Sequence, residues 1–263
     1  MTPRAKDDGR LRLHARFATR YLSTPRDVLV YLPPGYDESD ARYPVLYLQD
    51  GQNLFDPATA FAGNEWRADL IADEEIRCGR VEPLLLVGLY NTGVRRISEY
   101  TPTRDPRTRK GGKAERYAQM LARELKPFID TTYRTRKSAN DAGVGGSSLG
   151  ALVSLVAGLR YPRVFGKLAL MSPSVWWDQL SILSLIEAWT PPRPQRVWLD
   201  TGTAEGSNPD KVVADARLMR DALEAKGVEL HYEEAQGHQH NEGAWSTRFA
   251  PMLRYLFPAK PAG

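Results

Sequence analysis

Gly143-Val-Gly-Gly-Ser-Ser-Leu-Gly-Ala151, GVGGSSLGA, sets four glycines and two adjacent serines just ahead of an apolar run that ends in Leu159-Arg-Tyr-Pro162. A glycine-rich strand-to-helix turn has three physical uses: cradling a dinucleotide, cradling a nucleotide phosphate, or presenting a nucleophilic serine. The dinucleotide pattern Gly-x-Gly-x-x-Gly fails, because Gly143-x-Gly145-x-x reaches Ser148 where the third glycine belongs. No acidic residue follows at the spacing of roughly 20 residues, where the chain reads KLALMSPS. A Walker loop fails because Gly-Lys-Ser/Thr occurs nowhere. Gly146-Ser147-Ser148-Leu149-Gly150 does satisfy Gly-x-Ser-x-Gly. That turn is sharp, its serine sits in a strained conformation, and small flanking residues keep neighbouring Cβ atoms off the adjacent chain. Ser148 is the candidate nucleophile and Ser147 fills the variable position. The plainer alternative is a Gly/Ser turn that only packs a helix onto a sheet, and the lack of bulky residues in the preceding strand lends it some weight.

Outward from this turn, short β-branched runs alternate with longer amphipathic ones, the sign of a parallel sheet covered by helices. The pattern predicts strands over 28–32, 45–49, 84–90, 142–145, 168–171, 197–200 and 230–234. It predicts helices over 66–77, 114–129, 149–159, 211–226 and 244–256. Leu149, Leu152, Val153 and Val156 give the helix after the turn an apolar face, and its N-terminus directs partial positive charge at the serine oxygen. Residues 1–22 read as a leader segment and 23–258 as one domain, with no repeat or linker.

Composition bounds the rest. The chain has 263 residues, 42% of them hydrophobic, enough for one substantial core. Its 36 Lys+Arg against 32 Asp+Glu leave a net charge of +4, scattered along the sequence, which suits a solvated surface better than a nucleic-acid face. Cys78 is the single cysteine, so no internal disulfide holds the fold. No apolar run reaches the roughly 20 residues of a membrane span, and the first residues lack a secretory apolar segment. The chain as it stands therefore reads as cytoplasmic, or as periplasmic or secreted if a leader was removed.

A serine hydroxyl is a poor nucleophile at neutral pH; a histidine must take its proton, and an acid must orient that histidine. With Ser first, these partners should follow in the order acid, His. His238 and His240, in AQGHQHNEGAW, lie late in the chain between a strand and a helix, and His240 is favoured. The acid belongs after the preceding strand, where VWLDTGTAEG offers Asp200 and Glu205 without a choice between them. Oxyanion donors are expected from the backbone N–H of Leu149 and, after the Asp50-Gly51 turn, of Gln52. No metal or other cofactor is expected, since the His238/His240 window lacks a zinc ligand set.

These pieces resemble a known family: esterases of the esterase-D and ferric-enterobactin-esterase type, related to feruloyl esterases and mycolyltransferases. VYLPPGY, RYPVLYLQDGQNLFD, NEW, VGLYN with RRISEYTP, ELKPFID with YRT, GGSSLGALVSL, SPSVWW, GTAEG and HNEGAW run in order over most of the chain. The resemblance implies an α/β-hydrolase fold, a mostly parallel central sheet with helices on both faces. It implies Glu205 as the acid, His240 as the base and Gln52 as an oxyanion donor, although some siderophore esterases of this type use a Ser-His dyad. Ala151 stands where many relatives carry glycine. The expected activity is hydrolysis of a small-molecule or saccharide-linked ester, with feruloyl, acetyl-sugar and siderophore-type esters as substrate classes. An acyltransferase or a noncatalytic binding protein on the same fold is the alternative. Trp66, Arg96, Tyr100, Trp176 and Trp177 are candidate substrate contacts, since Arg meets oxyanions and Trp stacks on rings. Oligomeric state is not read from the sequence.

Overall fold

In the computed structural model, which describes residues 10–259, eight strands form one sheet in the order β1-β2-β4-β3-β5-β6-β7-β8. They are β1 Leu11–Phe17, β2 Arg26–Tyr31, β3 Val45–Gln49, β4 Leu85–Leu89, β5 Ala142–Ser147, β6 Lys167–Met171, β7 Arg196–Gly202 and β8 Glu229–Ala235. β1 and β2 are antiparallel to their neighbours; from β4 to β8 every pairing is parallel. Parallel strands need crossover helices. The crossovers carry α1 Ala68–Arg77, α2 Arg96–Tyr100, α3 Ala114–Met120, α4 Lys126–Thr132, α5 Leu149–Arg160, α6 Ser181–Ala188 and α7 Pro209–Glu224, and α8 Glu242–Leu256 follows the last strand.

The alternation of strand side chains divides the core in two. Val45, Tyr47, Leu85, Val87, Leu168, Leu170, Val197 and Leu199 face one layer, which holds α3, α5 and α7 residues. Leu46, Leu48, Leu86, Ala169, Met171 and Trp198 face the other, under α1 and α8. Both faces are covered, so these strands read as nearly continuous apolar runs. β5 is the exception, and its lack of bulk has a packing cause. A Cβ on Gly145 would lie 2.4 Å from that of Ala169, and one on Gly143 would lie 3.0 Å from Leu46 Cδ1 and 3.1 Å from Phe257 Cζ.

The seven strands expected from the sequence coincide with β2 to β8, and the five expected helices are present. The helix expected over 114–129 is continuous through a π-type turn, Leu121–Leu125. Pro127 removes an amide donor and crowds the turn before it, and a widened turn relieves that. The leader boundary needs correction. Residues 1–9 lie outside the described residues, but Leu11–Phe17, placed in the leader, pairs with β2 as the edge strand of the same sheet. Its LRLHARF pattern puts charges on the sheet's outer strand, whose open side tolerates them.

Candidate active site

β5 stops at Ser147, α5 starts at Leu149, and Ser148 between them has φ 59° and ψ −124°. A non-glycine residue there is strained by about 1–3 kcal/mol. The backbone is held on both sides: Ser148 N–H donates to Met171 O at 3.0 Å, and Ser148 O accepts from Ser174 N–H at 3.2 Å. Cβ atoms on Gly146 and Gly150 would approach Gln49 Cβ to 3.0 and 3.1 Å, so both glycines let the turn lie tight against β3.

Along the sheet edge, β8 ends at Ala235, and Asn241 caps α8 by accepting from Ala244 N–H at 2.9 Å. The short segment between delivers His240. Its Nε2 lies 2.9 Å from Ser148 Oγ, its Nδ1 lies 2.7 Å from Glu205 Oε2, and its ring meets Trp245 edge-on. With Nδ1–H donated to the carboxylate, Nε2 carries the lone pair and can accept a hydrogen bond from the Ser148 hydroxyl.

Glu205 is buried, and its other oxygen accepts from Ser172 Oγ–H at 2.5 Å and Gly202 N–H at 2.7 Å. Burial pushes its carboxyl up, but hydrogen bonds to His240, Ser172 and Gly202 outweigh that and hold it below the usual range. Ser172 in turn accepts from Trp245 Nε1–H at 2.9 Å and from Arg248 at 2.7 Å, so the carboxylate rests on a buried hydrogen-bonded network.

Asp200, the other acid, lies behind this network. It accepts from Trp198 Nε1–H at 2.7 Å and Ser172 N–H at 3.1 Å and pairs with Arg248 at 3.2 Å. It has no exposure, and burial pushes it up to about 6 against the pull of Arg248. His238 points to Arg248, 3.3 Å from its Nδ1. The structure therefore brings Ser148, His240 and Glu205 together, and places Asp200 and His238 around Arg248.

The second edge of the site is the turn after β3. Asp50 has φ 56° and ψ 45°, and a Cβ on Gly51 would lie 2.4 Å from the Gly88 carbonyl carbon, so only glycine lets this turn lie on β4. Arg96 grips Asp50 through one guanidinium edge, Nε–H and Nη2–H donating at 2.8 and 2.6 Å, Asn91 Nδ2–H donates to the same carboxylate at 2.7 Å, and Tyr100 OH accepts from Asp50 N–H at 3.3 Å. Gln52 is pinned as well: its carbonyl accepts from Thr59 Oγ1–H at 2.7 Å and its Oε1 from Asn91 N–H at 3.1 Å. The amides of Gln52 and Leu149 belong to first helical turns, which have no intrahelical acceptor. Gln52, Asn53, Arg96, Ser148, His240 and Glu242 are among the walls of a cavity of about 340 Å³.

Of the proposed substrate contacts only Arg96 lines this cavity. Trp66 is 2% exposed and packs on Trp245 and Phe249; Trp177 is buried, its Nε1–H donating to Thr103 O at 3.2 Å. Tyr100 is fully buried behind Asp50, and Trp176 stands on the surface outside the cavity walls. Indole and phenol rings are as useful to a core as to a ligand, and sequence does not separate the two uses. Sequence reasoning missed Ser174, whose Oγ lies 3.0 Å from Ser148 Oγ, and the supporting roles of Ser172 and Asp50. The signal for both serines was Ser172-Pro-Ser174 directly after β6, the strand next to the nucleophile's own. Among the described residues no group of His, Cys, Asp and Glu is arranged to hold a metal, and no helix is long and apolar enough to cross a membrane.

A mostly parallel, doubly covered sheet with a serine on a strained strand-to-helix turn at its centre is the architecture of an α/β hydrolase. A family model described as "Putative esterase" matches residues 19–256. The chain belongs to that family and is a carboxylic-ester hydrolase. It is 25% identical over 244 residues to "Uncharacterized protein YbbA" of Bacillus subtilis, covering 88% of this chain and 92% of that one. It is 27% identical over 234 residues to an "Endo-1,4-beta-xylanase/feruloyl esterase" of Xylanibacter ruminicola, covering 87% of this chain but 29% of that longer protein. The solved structure of an IroE-like serine hydrolase from Shewanella oneidensis superposes with a TM-score of 0.77 at 21% identity, over 94% of this chain and 80% of that one, a likeness of fold.

Proposed function

We propose that this protein hydrolyses carboxylic esters through an acyl-enzyme on Ser148. The observation that carries the proposal is the hydrogen-bonded series Ser148 Oγ, His240 Nε2, His240 Nδ1, Glu205 Oε2, with steps of 2.9 and 2.7 Å. Ser148 Oγ attacks the ester carbonyl as its proton passes to His240 Nε2, and Glu205 stabilises the imidazolium. The amides of Gln52 and Leu149 receive the developing oxyanion, and the α5 N-terminus adds favourable charge. His240 returns the proton to the departing alcohol. Water, deprotonated by the same nitrogen, then attacks the acyl-serine and frees the acid and Ser148.

The cavity walls mix polar side chains, Gln52, Asn53, Asn91 and Glu242 among them, with the rings of Phe61 and Trp245. Such walls suit a hydroxylated alcohol or acyl portion, and feruloyl, acetyl-sugar and siderophore-type esters are the substrate classes to be compared. The deciding experiment is hydrolysis of p-nitrophenyl esters from acetate to octanoate. Ser148→Ala should lower turnover by about 10⁴-fold or more with the fold intact, whereas Ser147→Ala should cost less than about tenfold. Comparable activity in wild type and Ser148→Ala would exclude this nucleophile.

A further inference from the structure

Four of the basic residues scattered along the sequence are gathered in space. Arg104, Arg109, Lys113 and Arg116 line an open cleft of about 450 Å³ together with Ser98 and Gly111. None of the lining side chains is a carboxylate, and among the described residues these four cations enter no ion pair. Their neighbours behave differently: Arg26 pairs with Glu99, Arg96 with Asp50 and Arg107 with Asp105. An uncompensated group of four positive charges in a concave surface concentrates potential that a single exposed lysine does not.

The cleft is held by a fixed backbone. Arg104 and Gly111 bridge in antiparallel fashion, Asp105 N–H donates to Lys110 O at 2.9 Å, and Arg109 N–H donates to Asp105 O at 2.8 Å. The Asp105 carboxylate accepts from Arg107 N–H at 2.7 Å. Gly111 has φ +101°, and a Cβ there would lie 2.3 Å from Thr103 O and 2.7 Å from Trp177, so the turn closes only on glycine. Arg104 Nε–H donates to Arg109 O at 2.8 Å, which orients one guanidinium in advance.

The cleft lies on the catalytic rim. It is built on the connection that leaves the C-terminal end of β4, and Ser148 follows the C-terminal end of β5, two strands away in the parallel part of the sheet. Trp177 ties the two regions together: its Nε1–H donates to Thr103 O at 3.2 Å, its N–H donates to Ser174 O at 3.1 Å, and Ser174 Oγ lies 3.0 Å from Ser148 Oγ.

We propose that this cleft is a subsite for oxyanions on a part of the substrate remote from the scissile bond, so that the natural ester is carried on an acidic saccharide chain. The proposal rests on the ester-hydrolase reading of the neighbouring site. Arginine suits carboxylate and sulfate groups alike through its planar fork of N–H donors. A nucleic acid fits less well, since no aromatic ring lines the cleft for bases to stack on.

The test is calorimetric titration of the whole protein with oligogalacturonate, a sulfated dextran oligomer, a neutral cello-oligosaccharide and a short single-stranded RNA. The two acidic saccharides should bind and the neutral one should not, and the acidic pair's relative affinity separates carboxylate from sulfate as the preferred group. Raising salt from about 0.01 to about 0.15 M, which shortens the screening length from about 30 to about 8 Å, should weaken binding. The Arg104→Gln/Arg109→Gln/Arg116→Gln variant should bind about tenfold less tightly, as three weak exposed contacts together allow. If circular dichroism shows that variant unfolded, Lys113→Gln/Arg116→Gln takes its place. Absence of binding, undiminished binding by a folded variant, or tighter binding of the RNA overturns the proposal. Turnover of p-nitrophenyl butyrate by wild type, which engages no oxyanion subsite, tests the hydrolase reading separately.

Discussion

Ser148 has one hydroxyl proton and two neighbours within hydrogen-bond reach, His240 Nε2 at 2.9 Å and Ser174 Oγ at 3.0 Å. While His240 is neutral and donates Nδ1–H to Glu205, Ser148 must donate to Nε2, and Ser174 is then free to donate to Ser148 Oγ. In the proposed mechanism that oxygen is the nucleophile in acylation and the leaving group in deacylation, when it regains alkoxide character. Ser174→Ala is expected to slow deacylation more than acylation, lowering kcat by about 3–10-fold and enlarging the pre-steady-state burst with p-nitrophenyl acetate. Equal slowing of both steps would assign Ser174 to packing alone. The acid is separable in the same way. Glu205→Gln should cost about 10²–10⁴ in kcat, and Asp200→Asn less than about tenfold. Asp200 has a folded pKa of about 6, raised above its ordinary 3.8 by burial, so its contribution to stability is present at low pH and is lost as pH rises through about 6. Asp200→Asn should therefore flatten the melting temperature between about pH 4 and pH 7 relative to wild type. The residue types of this site were legible because the chemistry demands them. The choice between Asp200 and Glu205 was not legible from spacing, since Asp200 lies near the end of β7 and Glu205 three residues beyond it, and which carboxylate reaches His240 is a matter of three-dimensional placement.

At the scale of elements, the turn after β3 does its work through atoms contributed from elsewhere. Asp50 sits in the left-handed region because Arg96 and Asn91 hold its carboxylate, and Gln52 follows from where Asp50 is held. Arg96 holds Asp50 by a bidentate bond two residues before the Gln52 amide, so in the proposed mechanism it is a positioning residue even though it borders the cavity. Arg96→Gln should lower kcat by about 10–100-fold with KM changed less than about threefold. A rise in KM at unchanged kcat would mean that Arg96 binds substrate instead. Strands buried on both faces announce themselves as apolar runs, which is why β3, β4, β6 and β7 were read within a residue or two. β1 escaped because Arg12, His14 and Arg16 break up its apolar pattern, and α2 because five residues are too few for a helical period. α6 escaped although it is apolar: its eight residues follow three successive non-glycine positions of positive φ, Asp178, Gln179 and Leu180, a start that no capping pattern signals.

The whole molecule depends on joining the layer under α1 and α8 to the sheet, because α8 also brings the residues that follow His240. Glu75 of α1 is buried between two arginines: Arg80 at 2.8 Å beyond the helix end and Arg254 of α8 at 2.6 Å, each bidentate. Hydrogen bonds to Arg254 and then Arg80 pull the Glu75 carboxyl down to about 2 from its ordinary 4.5. A carboxyl whose folded pKa is depressed contributes stability above its unfolded pKa and loses it as pH falls toward the folded value. The window here lies between 4.5 and about 2. Both arginines are partly solvated, which screens the pair, so the contribution at neutral pH is about 1–2 kcal/mol rather than the full value of the shift. Glu75→Gln should thus melt several degrees below wild type at pH 7, with the gap narrowing as pH drops through about 4 and nearly closed at about 2. Ester turnover at low temperature should survive, since Glu75 touches neither the Ser148 turn nor the Asp50 turn. A gap that persists undiminished at the lowest pH would show that Glu75 holds the two helices by packing rather than by charge.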